Sequence, residues 1–175
     1  MKELCYEIYP VNDEYALCNI FFKPRSLSED TEVSQEILFE NIQRQIIDEI
    51  RSAKYIIWIA MAWFTDPMLY NELVKKKRKG VTIEIVVDDN EKNRNAEFDL
   101  DAEFPTHWLT IQSLYKNIMQ DKFCIIDLQT VIHGTFNWTK AANYNKESIS
   151  IDTNRTTAEA FADEFIKLKN SDINF

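Results

Sequence analysis

Lys122, Asp127, Gly134, Thr135 and Asn137 are the residues of this chain whose types and spacing point to chemistry. They lie in and around two apolar runs, Phe123-Cys124-Ile125-Ile126 and Val131-Ile132, with a polar break at Leu128-Gln129 between them. That pattern predicts two adjacent strands joined by a tight turn. With a two-residue loop at Leu128-Gln129, Cys124 faces His133, Lys122 faces Thr135, and Gln120 faces Asn137. Strand side chains alternate between faces, so Gln120, Lys122, Thr135 and Asn137 share one face, and Phe123, Ile125, Ile132 and Phe136 take the buried one. An ammonium, a hydroxyl and an amide on one patch of rigid sheet form a cradle for a phosphate.

The spacing is also familiar. Lys122, four residues, Asp127, six residues, then Gly134-Thr135-x-Asn137, followed by Asn145-Lys146-Glu147, resembles the signature of the phospholipase D superfamily. That signature is H-x-K-x4-D-x6-G-[S/T]-x-N with a later N-x-E. The likeness extends upstream through Ala62-Trp63-Phe64-Thr65 and the strand ending at Asp88-Asp89, and covers roughly Phe21 to Ile151. A lone strand lysine is ordinarily a surface residue, and the match at all four positions is what sets Lys122 apart. One position departs: the histidine of the signature is Gln120.

The resemblance implies a mechanism. A histidine attacks phosphorus, a second histidine protonates the leaving oxygen, lysine and asparagine hold the phosphate oxygens, and no metal or other cofactor takes part. Carried over, Lys122 and Asn137 bind phosphate, Thr135 supports them, Glu147 orients the nucleophile, and Asp127 has a structural role. Gln120 occupies the nucleophile's seat, and an amide has neither a basic nitrogen nor a pKa near neutrality. Loss of a general acid alone costs about 10²–10⁴-fold in rate, so the chain as it stands is expected to be nearly inert. Glu147 keeps its place without the imidazole it would orient, as in an enzyme inactivated by one change. His133 lies on the correct face in the register above, but about 13 Å along the strand from position 120. His107 reads as a surface loop histidine.

Single-signature members of the superfamily resemble small endonucleases that build one site from two chains. The expectation is therefore a homodimeric, metal-independent phosphodiesterase acting on DNA or RNA. A non-catalytic dimerisation or nucleic-acid-binding module is the alternative, and a phospholipase the third reading.

Composition narrows the setting. A net charge of −9 and a pI near 4.8 work against a broadly basic surface for nucleic acid, though not against a local groove. Cys5, Cys18 and Cys124 form an odd, widely spaced set with no metal or disulfide pattern, as expected of reduced thiols in the cytoplasm. Cys124 reads as inert packing. The amino terminus lacks the apolar core of a signal peptide, and the longest apolar run, Tyr55 to Phe64, is too short to span a bilayer, so no membrane insertion is expected.

The elements that must position these residues read as one mixed α/β domain over 1–175, its sheet layered with helices. Leu4 to Tyr9 and Ala16 to Phe22 open the chain as paired strands. Ile37, Ile42, Ile46 and Ile50 suggest a helix from Val33 to Ala53. Tyr55 to Phe64 is a buried strand. Asp66-Pro67 starts a helix that Gly80 ends, with Lys75 to Lys79 complementing its dipole or, alternatively, touching nucleic acid. Val81 to Val87 is a strand, 88–103 a loop with a short helix, and Trp108 to Leu114 a strand leading into the central hairpin. Ser148 to Ile151 is a short strand, and Thr156-x-x-Glu159 is a capping box for the last helix. Trp63, Phe64 and Trp138 are expected in the core or as cleft walls. Gly134 should mark a bend or a close backbone approach.

Overall fold

Alternation of period-two and helical hydrophobic patterns produces a layered sheet. The computed structural model describes residues 2–10, 16–24, 33–111 and 117–171. By its contacts the chain divides into two units, 1–30 and 31–175. In the first, β1 (Lys2–Pro10) and β2 (Ala16–Pro24) pair antiparallel.

The second unit runs β3 (Ser34–Leu38), α1 (Ile42–Ser52), β4 (Ile56–Met61), α2 (Pro67–Arg78), β5 (Thr82–Asp88), α3 (Glu91–Arg94) and β6 (Thr106–Leu109). It continues with β7 (Lys122–Ile126), β8 (Thr130–Gly134), a 3-10 turn at Lys140–Tyr144, β9 (Ile149–Thr153) and α4 (Arg155–Asn170). Its seven strands are ordered β3-β9-β8-β7-β4-β5-β6, with β4, β5 and β6 parallel and the other neighbours antiparallel. This is the mixed α/β sheet read from the sequence.

Each face has its own core. Ile57, Ile59, Ile85, Cys124, Ile126 and Ile132 pack under α1 and α2. Ala60, Val86, Phe123, Ile125 and Val131 pack under α4, where Trp58 stacks on Phe165 with ring centroids 5.2 Å apart. β4 is central, covered on both faces, which is why its sequence is apolar throughout. Among the described residues no helix is long and apolar enough to cross a membrane.

Four local expectations are corrected. The helix from Val33 begins only at Ile42, and its first part is the edge strand β3, with Ile37 58% exposed. Ile37 to Ile42 is a step of five, outside the three-or-four spacing that Ile42, Ile46 and Ile50 keep. The strand at Trp108 is β6, a parallel partner of β5 at the sheet's other edge and no neighbour of the hairpin; residues 112–114 of that expectation lie outside the described residues. The cap of α4 is Asn154, whose side chain accepts from the N–H groups of Thr156 and Thr157, so Thr156 is already helical. By contrast, Asp66 caps α2 as expected, accepting from Met68 N at 2.8 Å.

The hairpin register is the fourth. Phe123 pairs with His133, Cys124 with Ile132, and Ile126 with Thr130, one residue away from the register inferred above. The connection is three residues long because Asp127 leaves the strand. Asp127 and Leu128 both take left-handed backbone angles (φ 54° and 53°), with Gln129 N donating to Ile126 O at 3.0 Å. A one-residue slip exchanges the faces of a whole strand. Ile132 therefore joins Cys124 under α1 and α2, while His133 goes under α4, opposite Lys122. There its Nε2 lies 2.8 Å from Asp152 Oδ2 and its ring 5.1 Å from that of Phe161. His133 cannot stand in for a nucleophile at position 120.

Candidate active site

At the carboxyl ends of β4 and β5 the chain meets the start of β7 and the exit of β8. Three backbone anchors fix position 120 there. Met119 is buried and donates its N–H to the buried carboxylate of Asp88 (2.9 Å); Asp121 O accepts from Ala62 N (2.9 Å); and Lys122 opens β7 opposite Met61. Gln120 sits between the anchors with its side chain exposed. Lys122 Nζ folds back on it, donating to Gln120 O at 2.7 Å and to Gln120 Oε1 at 3.1 Å. Burial lowers the pKa of Lys122, and the carboxylates of Asp121 and Glu147 partly offset this. Burial together with Glu164 raises the pKa of Asp121, with Lys122 acting the other way.

The exit of β8 supplies the other groups. A Cβ on Gly134 would stand 2.2 Å from Ser148 O and 2.8 Å from Ile149 Cα, so this is the close approach expected there. Thr135 N–H donates to Ser148 O (2.9 Å), and its hydroxyl accepts from Ser148 N (3.0 Å). Thr135 thus ties the β8 exit to the residue after Glu147, a supporting role. Asn137 is half-buried, and its Oδ1 is buried with no hydrogen-bond partner among the described residues. Such an orphaned acceptor ordinarily costs about 1–3 kcal/mol. Trp138 O accepts from Thr65 N (2.8 Å) and Asp66 N (2.9 Å), pinning the loop after β4, and its ring meets that of Phe64 edge-on at 5.0 Å. Both rings are core, as expected. Trp63 is half-buried beneath Lys92 Nζ, 4.0 Å from the ring centroid. Glu147 accepts from Asn145 Nδ2 at 3.1 Å.

Of the residues singled out by sequence, Gln120, Lys122, Thr135, Asn137 and Glu147 collect at this end of the sheet. Asp127 does not. It lies past the other end of β7, where its carboxylate accepts from the N–H groups of Lys54 (2.7 Å), Tyr55 (2.8 Å) and Ile56 (2.9 Å). The lysine run of α2 is also remote, at the helix end away from the Asp66 cap. Lys75 pairs with Glu72 and Lys77 with Glu103, and the buried Lys76 donates to Arg51 O. His107, expected in a surface loop, is instead half-buried in β6 and pairs with Glu84 on the neighbouring β5. Sequence reasoning missed the supports of position 120. Asn93 is buried, accepting from Phe64 N and donating to Ala62 O and Asp88 O, all at 2.8 Å. An asparagine in an asparagine-rich loop carries no local signal of that role.

Comparison with known proteins bears on the family and the fold. The family described as cardiolipin synthase, PLD-like domain, matches residues 46–169. A mitochondrial cardiolipin hydrolase of Chlamydomonas reinhardtii is 26% identical over 71% of this chain and 56% of its own length. A phospholipase D of Rickettsia felis is 27% identical over 72% of this chain and 63% of its own. The chain thus spans little more than half the length of these relatives. Among solved structures, Nuc of Salmonella typhimurium, a phospholipase D family member, is 28% identical with a TM-score of 0.69, covering 79% of this chain and 95% of that one. NucT of Helicobacter pylori, 23% identical with a TM-score of 0.70 over 82% of this chain and all of its own, shares the fold.

Proposed function

We propose, because the chain belongs to the phospholipase D superfamily, that it is a nuclease-type phosphodiesterase whose phosphate clamp is built and whose nucleophile is missing. The observation that carries this reading is the contact of Lys122 Nζ with Gln120 Oε1. The phosphate-binding ammonium reaches the side chain that stands in the nucleophile's seat, with Glu147 close enough to act on its charge. A phosphodiester entering here would exchange the Gln120 contact for its own non-bridging oxygens and find the Asn137 amide beside them. Nucleic acid is favoured over lipid by the likeness to Nuc across nearly the whole of that chain.

Restored by Gln120→His, the reaction takes two steps. The imidazole nitrogen attacks phosphorus and the bond to the leaving oxygen breaks, with the equivalent imidazole of a second copy donating the proton to that oxygen. Water then cleaves the nitrogen–phosphorus bond, returning a proton to the second imidazole. Lys122 and Asn137 hold the oxygens that gather charge, and Glu147 fixes the ring's tautomer, the logic of a base and its orienter. One copy supplies only half of the groups, so the working form is a homodimer related by a two-fold axis. The test compares the parent chain with Gln120→His on single-stranded DNA, duplex DNA and RNA in excess chelator. Cleavage by the variant alone, abolished in Gln120→His/Lys122→Ala and cut markedly by Glu147→Ala, is the expected result. A folded, dimeric Gln120→His variant that cleaves none of the three would instead favour a binding module.

A further inference from the structure

Beside Glu147 a groove of about 420 Å³ opens between the start of α1 and the 3-10 turn at Lys140–Tyr144. Two aromatic rings stand in water on its walls. Phe39, just before α1, is 71% exposed, and Tyr144, at the end of the turn, is 91% exposed. Neither position is needed for packing, and the turn that carries Tyr144 is well held. Thr139 Oγ1 accepts from Ala142 N (3.2 Å), Ala142 is buried, and Asn145 N–H donates to Ala142 O (3.2 Å). Arg44 and Lys146 line the same groove. At the head of α1, Asn41 is in a left-handed conformation and makes no side-chain cap, so the opening amides face the groove's rim without a capping oxygen.

We infer that this groove binds single-stranded nucleic acid and leads it into the site, an inference that rests on the nuclease reading and names its substrate class. Duplex recognition leans on wide cationic surfaces, which a net charge of −9 works against. In the groove Arg44 and Lys146 are balanced by Glu40 and Glu147, so charge alone gives little affinity. Two exposed rings give more: every unpaired base has a π-face to lay against them, whereas a duplex keeps those faces stacked. The volume falls within the range of about 300–1,000 Å³ of small-ligand sites, which suits a nucleotide or two. Phe136, between Thr135 and Asn137, lines the groove, and so does Glu147, beside the Ser148 that Thr135 holds, so a strand lying there delivers its next phosphate to the clamp.

The test is equilibrium binding of a fluorescent oligonucleotide, single-stranded and as its duplex, at low salt. The chain as it stands is used, since binding is then read without turnover. Tyr144→Ala and Phe39→Ala should each weaken single-strand binding about five- to a hundredfold. Tyr144→Phe should retain it, and duplex binding should change less than twofold. If both alanine variants bind the single strand like the parent while Lys122→Ala loses it, the groove assignment falls and the phosphate clamp stands. Parent protein that binds neither form overturns the nuclease reading, and this inference with it. If the alanine variants instead turn a dimer into a monomer in sedimentation, the groove is a contact between copies and the inference is overturned.

Discussion

The two ends of the β7–β8 hairpin are chemical opposites. At the turn end the carboxylates of Asp127 and Glu72 are both fully engaged. Asp127 takes three backbone N–H groups, and nearby Glu72 is bound by Arg51 (3.1 Å) and Lys75 (2.7 Å), while Lys76 reaches Arg51 O. At the open end Asn137 Oδ1 has no partner among the described residues, and Lys122 leans on an exposed glutamine. Carboxylates that accept several hydrogen bonds stabilise a fold, whereas an unpaired buried acceptor lowers stability, and an ammonium held only by an exposed side chain is free to exchange it for an anion. The same two strands thus carry a structural end and the proposed phosphate-binding end about 16 Å apart at strand rise.

The largest expected effect tests that division at the turn. Asp127→Ala strands three amides that held the start of β4 and should cost about 3 kcal/mol, seen as a melting temperature lower by roughly 6–12 °C. Phosphate affinity should be unchanged in the fraction that remains folded. Gly134→Ala probes the border between the ends. Its Cβ cannot coexist with Ser148 O at 2.2 Å, so the β8–β9 pairing must shift, at about 2–4 kcal/mol in chemical denaturation. In this variant, unlike Asp127→Ala, binding at the open end should suffer too, because Glu147 precedes the displaced residue. At the open end itself, Lys122→Met should leave stability within about 0.5 kcal/mol of the parent, or raise it, and weaken nucleic-acid binding at low salt by about tenfold or more. A Lys122→Met protein that melts far below the parent would erase the contrast.

The smallest effect is a pH dependence of the turn end. Hydrogen bonds from Arg51 and then Lys75 hold the Glu72 carboxyl at about 2, below its ordinary 4.5. A carboxyl whose pKa is depressed by folding adds stability above its unfolded value and loses it as the pH falls. The contribution should therefore be complete above about pH 4.5 and vanish towards pH 2. Because Arg51 and Lys75 are 57% and 61% exposed, water screens the pairs and about 1 kcal/mol is expected. Arg51→Ala should flatten that part of a stability–pH curve, measured between pH 2 and 5.

Most of this architecture was legible in the sequence because it is written in period and punctuation. The two-sided apolar run of β4, the Asp66-Pro67 start of α2 and the close approach at Gly134 follow from local rules that the fold obeys. The residues gathered at the open end were legible through a spacing, which records neighbours in space as well as in sequence. What failed was decided by groups distant along the chain. The register slipped because Asp127 answers to the amides of Lys54, Tyr55 and Ile56, and no window around Asp127 contains them. The strand β3 hid inside a helical-looking stretch because its partner, β9, lies over a hundred residues on. Asn93, whose side chain ties the loop after β4 to the end of β5, was invisible for the same reason.

The central pairing of β4 with β7 has a consequence in time. Met61 meets Lys122 only after about sixty intervening residues have been closed into a loop, whereas β4, α2 and β5 are neighbours in sequence and can dock early. Long-range strand pairing is slow, since loop closure must precede the contacts that reward it. Ala62, Gln120, Lys122 and Asn137 belong to segments that meet only when that pairing is made. In refolding, oligonucleotide binding should therefore appear with the slowest phase, after most helical signal has returned, so a partly folded chain has a helix-covered sheet but nowhere to seat a phosphate.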